Sequence, residues 1–551
     1  MKKWHTLLCM SVFFCIFAAD LYFAVFMPEQ QLDNNSAIQR VSPRLKRRKV
    51  SLRERMRMAT AGDSRPSAMF ATWVLPEWIV SRPTICYFVA LVVVSLLYYG
   101  HILPWYYMLS GVGSIFVFFS YGRYLSRKYS IAQLHNANLF EKKVFYAAFF
   151  IRLAWMLLIY YIFMSIYEDS FGFENADSTF YDKLGQYVSE MAKVGNYHFY
   201  DGINVIYRGE LGLSDMGYGI YVGIIYSLTA NSIIAVRLLK CLWSSLTVLL
   251  IYRIARRNFG TQVARIAAIF CTLWPNFWYY CGTHLKEVEM VFLAVLFVEQ
   301  ADQMLRSRQF TAWKLVPLLL IIGALFTIRT PLALVAILSL LFTIVMSSSR
   351  VMSWSKRFAV GIFAVILVAI TMGNRIQEEA KELMARAQSG QQQTNMEWRG
   401  RRAHGNAFAK YAGATVFAPM IFTIPFPTMV RPFNGQELQQ LLNGGNYIKN
   451  ILSFFTILSM FIMLFSGSWR EHMLPLAYLL GYLVVLTMSN FAQSERFHQP
   501  AMPFEFMFAA YGLTIVMSNK RYQRWFGYWC VIMLVACIAW NWFKLAGRGL
   551  A

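Results

Sequence analysis

The segment "LVPLLLIIGALFTIRTPLALVAILSLLFTIVM", residues 315–346, has only one charged residue among its 32 positions. A helix of about 20 apolar residues crosses the hydrocarbon core of a bilayer, so this segment belongs in a membrane. Arg329 and Pro331 interrupt it near the middle, and a proline cannot continue the hydrogen-bond ladder of a helix. The pattern predicts two short apolar helices, 313–328 and 332–346, that meet at a polar break.

The rest of the chain repeats this apolar character. Of its 551 residues, 57% are hydrophobic and only 15% are charged, which is too apolar for a soluble globular protein. The alternating pattern of a membrane β-barrel is absent. We therefore predict an all-α, polytopic transmembrane helical bundle of about 12–14 spans. The candidate spans are 7–26, 84–99, 102–121, 144–166, 232–251, 263–274, 288–305, 313–328, 332–346, 358–372, 448–465, 473–488, 504–517 and 528–542.

The net charge of +24 reports orientation rather than nucleic-acid binding, because the basic residues cluster in short segments between apolar runs. If the spans alternate, seven basic segments fall on one side: those containing "RLKRRKVSLRERMRM", "RYLSRKY", "RIARRNFG", "RSRQF", "SSSRVMSWSKR", "SWREH" and "NKRYQRW". The other, external side receives two large loops, 167–231 and 373–447. Up to residue 217 the first of these loops carries nine carboxylates against three Lys and Arg. Both termini are then external, although the run 7–26 also resembles a signal peptide.

We divide the chain into an N-terminal extension, 1–143, with about three spans and a basic cytoplasmic loop, and a main transmembrane domain, 144–551. Apart from the first, the cytoplasmic loops are too short to house a nucleotide-binding domain, and the first is polar and Arg-rich with little to build a core. No glycine-rich phosphate-binding motif occurs. The eight cysteines lie in or beside apolar runs without metal-ligand spacing, which favours core thiols. Any chemistry is therefore expected at the external boundary of the membrane, with a substrate that is neither ATP nor a nucleotide sugar.

Asp177, in "FENADSTFYDKLG", lies about ten residues after a predicted span ends, and Tyr181 follows it. Partial burial near lipid raises the pKa of a carboxylate and suits it to act as a base towards an acceptor hydroxyl or amine. The acidic residues of this loop could equally serve only to solvate it. The residues alone leave these two interpretations open.

Other polar residues are expected on the same external side. Lys286 and Glu287 precede a span in "CGTHLKEVEM", and Arg329 lies in the break described above. Late in the chain, "SERFHQP" contributes Arg496 and His498. The second large loop carries a basic cluster, Arg399, Arg401, Arg402 and His404. Arginine matches phosphate oxygens with a planar fork of donors, so this set fits a lipid-borne phosphate such as a polyprenyl-phosphate sugar. Three further cations within apolar runs, Arg152, Arg237 and Lys240, are expected to snorkel or to form interhelical pairs.

From about residue 144 onward, the order of these features resembles the GT-C superfamily of polytopic glycosyltransferases, in particular the bacterial relatives of protein mannosyltransferases and of the lipid A aminoarabinose transferase. The matching features, in order, are "ADSTFYDKLGQYVSEM", Gly217 with Tyr218, Arg237, "LIYRIARRNFGTQVARIAA" with Pro275, Glu287, Arg329 with Pro331, and "SERFHQPAMPFEFMFAAYGL". The chain departs from the family pattern at "DMGYGIY", which lacks the two prolines usual there.

The resemblance implies transfer of a sugar from a polyprenyl-phosphate donor to a glycan, lipid or protein acceptor of the cell envelope. It implies a bacterial inner membrane with the active site on the periplasmic side. Asp177 and Glu287 are the expected catalytic acids. Six residues are expected to bind substrate: Tyr181, Lys286, Arg329, Arg399, Arg496 and His498. No metal ligand is assigned and no cofactor is certain, although a divalent metal remains compatible with the resemblance.

Two other functions remain open on the sequence. A glycan polymerase or ligase of the O-antigen type is also many-spanned, and the cluster at Arg399 favours it, whereas the acidic first loop does not. A transporter or flippase of lipid-linked substrates would place ionisable groups near the bilayer midplane and often shows internal repeats. No convincing repeat is present here, and the polar groups gather at one predicted boundary.

Overall fold

The computed structural model describes residues 74–131, 137–172, 175–199, 203, 213–307, 312–347, 361–362, 419–431, 437–488 and 494–546. The predicted first span, 7–26, lies outside these residues, as do nearly all of the predicted span 358–372 and much of the second large loop. No β-strand occurs in the described part, where the single isolated bridge joins Ile102 to Val430.

The described helices are numbered here in chain order. The first four are α1 (Glu77–Leu97), α2 (Trp105–Phe116), α3 (Gly122–Ile131) and α4 (Ala137–Tyr167), with a π-helical turn, Val117–Tyr121, between α2 and α3. Next come α5 (Asn175–Lys193), α6 (Leu213–Thr229), α7 (Ile233–Phe259), α8 (Thr261–Leu273), the short α9 (Pro275–Tyr279), α10 (Glu287–Arg306) and α11 (Leu315–Met346). The last are α12 (Asn443–Ser466), α13 (Met473–Met488), the short α14 (Glu495–His498), α15 (Met502–Ser518) and α16 (Lys520–Ala546).

Six described helices are long and apolar enough to cross a membrane: α1, α4, α7, α11, α12 and α16. Four shorter helices, α6, α8, α13 and α15, are also apolar. The prediction of an all-α polytopic bundle is therefore confirmed. The break predicted in the segment 315–346 is also present, because Arg329 has φ −160° and ψ 94° within an otherwise helical α11.

The first large loop differs from its prediction, since much of 167–231 is helical. α5 is amphipathic, and α6 is an apolar helix that was not among the predicted spans. The two helices pack closely where glycines face larger side chains. A Cβ at Gly219 would lie 2.2 Å from Leu184, and one at Gly185 would lie 2.5 Å from Val222. Glycine therefore allows α5 to lie directly against α6.

Polar contacts join three of the predicted basic segments, those at Arg257, Arg306 and Glu471, at one end of the bundle. The Arg257 guanidinium at the end of α7 contacts Asp302 of α10 at 2.9 Å. Arg306 donates to the Glu471 carbonyl at 2.7 Å. α10 has 20 residues, so its first residue lies about 30 Å from this basic end.

The described part of the N-terminal extension packs against the main domain. α1 lies along α16, and the Tyr447 hydroxyl of α12 donates to the Pro83 carbonyl at 2.9 Å. The predicted boundary at residues 143 and 144 falls inside α4. The six described cysteines are free thiols and form no disulfide.

Candidate active site

One cavity of about 360 Å³ gathers most of the predicted site residues. It is lined by Asp177, Phe180, Tyr181, Lys286, Glu287, Met290, Arg329, Arg496 and Phe497. Six of the eight predicted site residues are in this lining, although they come from four separate helices, α5, α10, α11 and α14. The cavity lies at the end of α10 that is opposite the basic cluster around Arg257.

Arg496 connects the two predicted catalytic carboxylates. Its Nη1 lies 2.5 Å from Asp177 Oδ2, and its Nε donates to Glu287 Oε1. The Asp177 side chain is 55% exposed, whereas Glu287 is only 1% exposed and Arg496 is 20% exposed. The site thus has one carboxylate open to solvent and one enclosed.

The charge of Arg496 is secured by these two partners. Burial acts to lower the pKa of its guanidinium, but the carboxylates of Glu287 and Asp177 outweigh burial and raise that pKa. The guanidinium is therefore a permanent cation between two anions.

Helix starts position both carboxylates. Asp177 lies in the first turn of α5, and Glu287 is the first residue of α10. The exposed N–H groups and the macrodipole at a helix start favour a negative charge there. Tyr181 follows Asp177 by one turn on the same face of α5, which explains why both line the cavity.

The break in α11 positions Arg329. Gly217 of α6 packs against α11 just before the break, where an added Cβ would lie 2.7 Å from the Thr327 carbonyl carbon. The Arg329 guanidinium lies over the Phe497 ring at 5.2 Å, and Arg496 lies over the same ring at 5.8 Å. Phe497 thus contacts both guanidinium groups by cation–π interaction.

Sequence reasoning missed three lining residues, Phe180, Met290 and Phe497. Phe497 had an available signal, because it directly follows Arg496 within the motif "SERFHQP". The aromatic rings of Phe180, Tyr181 and Phe497 add apolar faces to an otherwise charged cavity, and such faces can pack against a sugar ring.

His498, which was also predicted to bind substrate, is not part of the cavity lining. It is buried, and its Nδ1 lies 2.6 Å from Lys449 Nζ of α12. Residues two apart on a helix face different directions, so His498 points away from the side that Arg496 occupies. Arg399, the remaining predicted residue, lies outside the described residues.

A buried polar layer lies beside the cavity. Tyr226 donates to Asp182 at 2.5 Å, and burial raises the pKa of the Asp182 carboxyl. The His284 ring stacks on Tyr226, and burial, followed by nearby Lys240 and Arg237, lowers the pKa of His284 well below its ordinary value. These groups hold α5, α6 and α7 together behind Asp177 and Tyr181.

The three cations within apolar runs are buried rather than snorkelling. Lys240 pairs with Glu289 of α10 at 3.3 Å, as expected for an interhelical pair. Arg237 donates to the Ser170 carbonyl at 2.6 Å, and Arg152 donates to Ser244 Oγ at 2.6 Å. All three therefore serve contacts between segments of the bundle.

No group of three or more His, Cys, Asp and Glu side chains is arranged to hold a metal ion within the residues that the structure covers. In this structure, the positive charge between Asp177 and Glu287 comes from Arg496. The arrangement can orient a negatively charged group against Arg329 and Arg496 while leaving a carboxylate exposed beside it.

A family model described as dolichyl-phosphate-mannose-protein mannosyltransferase matches residues 218–373. This range includes Lys286, Glu287 and Arg329, while Asp177 precedes it and Arg496 follows it. The match confirms the resemblance to mannosyltransferase-like proteins of the GT-C superfamily and supports a membrane glycosyltransferase that uses a lipid-linked donor. No curated protein and no solved structure matches the chain.

Proposed function

We propose that this protein transfers a sugar from a polyprenyl-phosphate donor to a cell-envelope acceptor on the external face of a bacterial inner membrane. The observation that carries the proposal is the single cavity that joins Asp177 and Glu287 with Arg329 and Arg496. The four residues come from distant parts of the chain, and a solvating loop would not need to gather them.

The cationic side of the cavity suits the donor phosphate. Arg329, Arg496 and Lys286 supply three positive charges, and arginine forks complement phosphate oxygens. Phe497 contacts both guanidinium groups by cation–π interaction. A volume of about 360 Å³ lies near the lower end of small-molecule sites, which favours one sugar with its phosphate.

The exposed carboxylate suits the acceptor. In the proposed reaction, Asp177 takes the proton from the acceptor hydroxyl or amine as that oxygen or nitrogen attacks the anomeric carbon. The bond from this carbon to the phosphate oxygen breaks, and the polyprenyl phosphate leaves with the bonding electrons. Arg329 and Arg496 stabilise the negative charge that develops on the phosphate. Glu287, enclosed beside Arg496, holds that guanidinium in place.

The alternatives predict different substrates for the same cavity. A polymerase or ligase would need room for an oligosaccharide, and the cluster that favoured it, around Arg399, is outside the described residues. A transporter would need ionisable groups along a path through the bundle. The described cavity instead lies at one end of α10, which supports chemistry at a membrane boundary.

The test is transfer activity in membranes that contain the wild-type protein, an Asp177→Asn variant or a Glu190→Gln variant. The membranes are incubated with a panel of polyprenyl-phosphate monosaccharides and cell-envelope acceptors. Glu190 is exposed on the same helix as Asp177, so Glu190→Gln controls for the loss of one negative charge. We expect Asp177→Asn to lower the transfer rate by about 10²–10⁴-fold, the usual contribution of a general base, and Glu190→Gln to leave it unchanged. Full activity of Asp177→Asn at normal expression would remove the basis for this mechanism.

A further inference from the structure

Lys286 joins the two helix ends that carry the opposite charges of the cavity. Its carbonyl accepts the Met290 N–H at 3.0 Å, so its backbone caps the start of α10 beside Glu287. Its side chain reaches α11, where Nζ donates to the Ile328 carbonyl at 2.9 Å. A single residue therefore contacts both the helix start that carries the buried carboxylate and the break that carries Arg329.

The break in α11 explains why the Ile328 carbonyl accepts a hydrogen bond from Lys286. Pro331 has no N–H to donate to the Thr327 carbonyl, and the extended backbone of Arg329, directly after Ile328, interrupts the helical ladder at this point. Backbone carbonyls left without a helical partner in an apolar environment need another donor. The Lys286 ammonium supplies one to Ile328, the residue directly before Arg329.

The surroundings of Lys286 fit a fixed position. Lys286 is only 3% exposed, although lysine is usually found at surfaces. Its Nζ lies over the Tyr181 ring at 5.8 Å, which adds a second constraint on the ammonium from α5. Three elements, α5, α10 and α11, thus meet at this one side chain.

We infer that Lys286 is a positioning residue: it holds the broken helix so that Arg329 stays at a fixed distance from Glu287 across the cavity. The inference rests on the proposed function for its consequence, because Arg329 is then set to meet the donor phosphate. It differs from direct phosphate binding by Lys286, in which the ammonium would act independently of Arg329.

The first experiment requires no ligand. Hydrogen exchange of peptides covering residues 325–335 is compared among the wild-type protein, Lys286→Met and the control Lys183→Met. Lys183 is exposed on α5. We expect Lys286→Met to speed exchange at the break by about tenfold, the loss expected for one hydrogen bond, and Lys183→Met to change nothing. Lys286→Arg keeps a cationic donor and should give an intermediate rate, and it serves in place of Lys286→Met if that variant does not fold. Unchanged exchange at the break would overturn the inference.

The second experiment separates positioning from direct contact. Binding of undecaprenyl phosphate to the protein in nanodiscs is measured for Lys286→Met, Arg329→Ala and the double variant. A residue that acts through Arg329 has no further effect once Arg329 is gone. We therefore expect Lys286→Met to weaken binding about tenfold alone and less than twofold in the Arg329→Ala background. If the double variant instead lost affinity by the product of the two single-variant losses, Lys286 would contact the phosphate directly, and the inference would be overturned. If the wild-type protein bound no undecaprenyl phosphate, the proposed function would fail, whereas the exchange experiment would still decide the role of Lys286.

Discussion

Replacing Arg496 by glutamine tests the central contact of the cavity. The substitution removes the guanidinium that pairs with both Asp177 and Glu287. The two carboxylates differ in exposure, so their losses should differ. Because Glu287 is buried and Asp177 is exposed, loss of the Glu287 pair should mainly lower stability, so the effects on stability and on catalysis can be measured separately.

The stability loss follows from burial. Glu287 is 1% exposed, and removing one partner of a buried pair costs about 3–5 kcal/mol. Asp177 is 55% exposed, and an exposed pair contributes only about 0–1 kcal/mol. We therefore expect Arg496→Gln to lower the free energy of unfolding by about 3–5 kcal/mol, nearly all of it through Glu287.

Adding Glu287→Gln removes the buried charge that the first substitution leaves without its arginine. Replacing both members of a buried pair is often close to neutral, so the double variant should recover to within about 1–2 kcal/mol of the wild-type stability. Catalysis should not recover. Loss of one group that stabilises transition-state charge costs about 2.7–4 kcal/mol, or a 10²–10³-fold slower transfer.

The assay combines unfolding in mixed detergent micelles, followed by tryptophan fluorescence, with the transfer reaction for each variant. The expected pattern is a destabilised single variant, a restabilised double variant and low activity in both. If Arg496→Gln kept the wild-type stability, or if Glu287→Gln failed to restore it, the pair would not organise the site. Wild-type transfer rates in either variant would contradict the proposed role of Arg496 towards phosphate.

Two further predictions concern residues outside the cavity. Gly217→Ala should raise the KM for the donor and lower the free energy of unfolding by about 1–3 kcal/mol. The reason is that the Cβ of the new alanine would lie 2.7 Å from the Thr327 carbonyl carbon, two residues before Arg329. Gly323→Ala on α11, where a Cβ meets open space, is the control for both measurements. His472 lies at the basic end, where burial, followed by the charge of Arg306, lowers its pKa to about 3. As the pH falls, the unfolded chain therefore binds this proton before the folded protein does, and the free energy of unfolding decreases between pH 6.5 and 3. Between pH 6.5 and 5 this loss is about 2 kcal/mol. His472→Phe, which can keep the 4.2 Å ring stack on Phe259, should show a smaller loss than the wild type in thermal unfolding; an equal loss would contradict the assignment.

Much of the fold could be predicted because charged residues and prolines in the sequence mark where apolar helices end. The break at Arg329 and Pro331 was readable, and the predicted span 473–488 coincides with α13. α5 and α6 were missed for different reasons. α5 is amphipathic and polar on one side, while α6 is short and contains Gly217, Gly219 and Gly223, which lower its helix propensity. Only its close packing on α5 and α11 shows why those glycines are there.

The candidate site was readable for residues that carry charge next to an apolar run. Charged residues are rare within membrane segments because burying a charge there costs free energy, so those that do occur can be recognised in the sequence. His498 had the same signal but faces Lys449, because sequence proximity does not fix the side of a short helix. The role of Lys286 could not be predicted, since its bond to the Ile328 carbonyl depends on how α10 and α11 pack.

The positions of the site residues explain why several weak motifs in a fixed order were informative. Asp177 lies in the first turn of α5, Glu287 starts α10, Arg329 lies at a helix break, and Arg496 lies in the short α14. All four are places where the backbone leaves regular apolar helix and polar groups can be satisfied. Because α10 separates this end from the basic cluster by about 30 Å, each such element must return to the same end of the bundle. The order and spacing of the motifs therefore follow from how often the chain returns to this end of the bundle. The cavity forms where the polar residues at these helix ends come together.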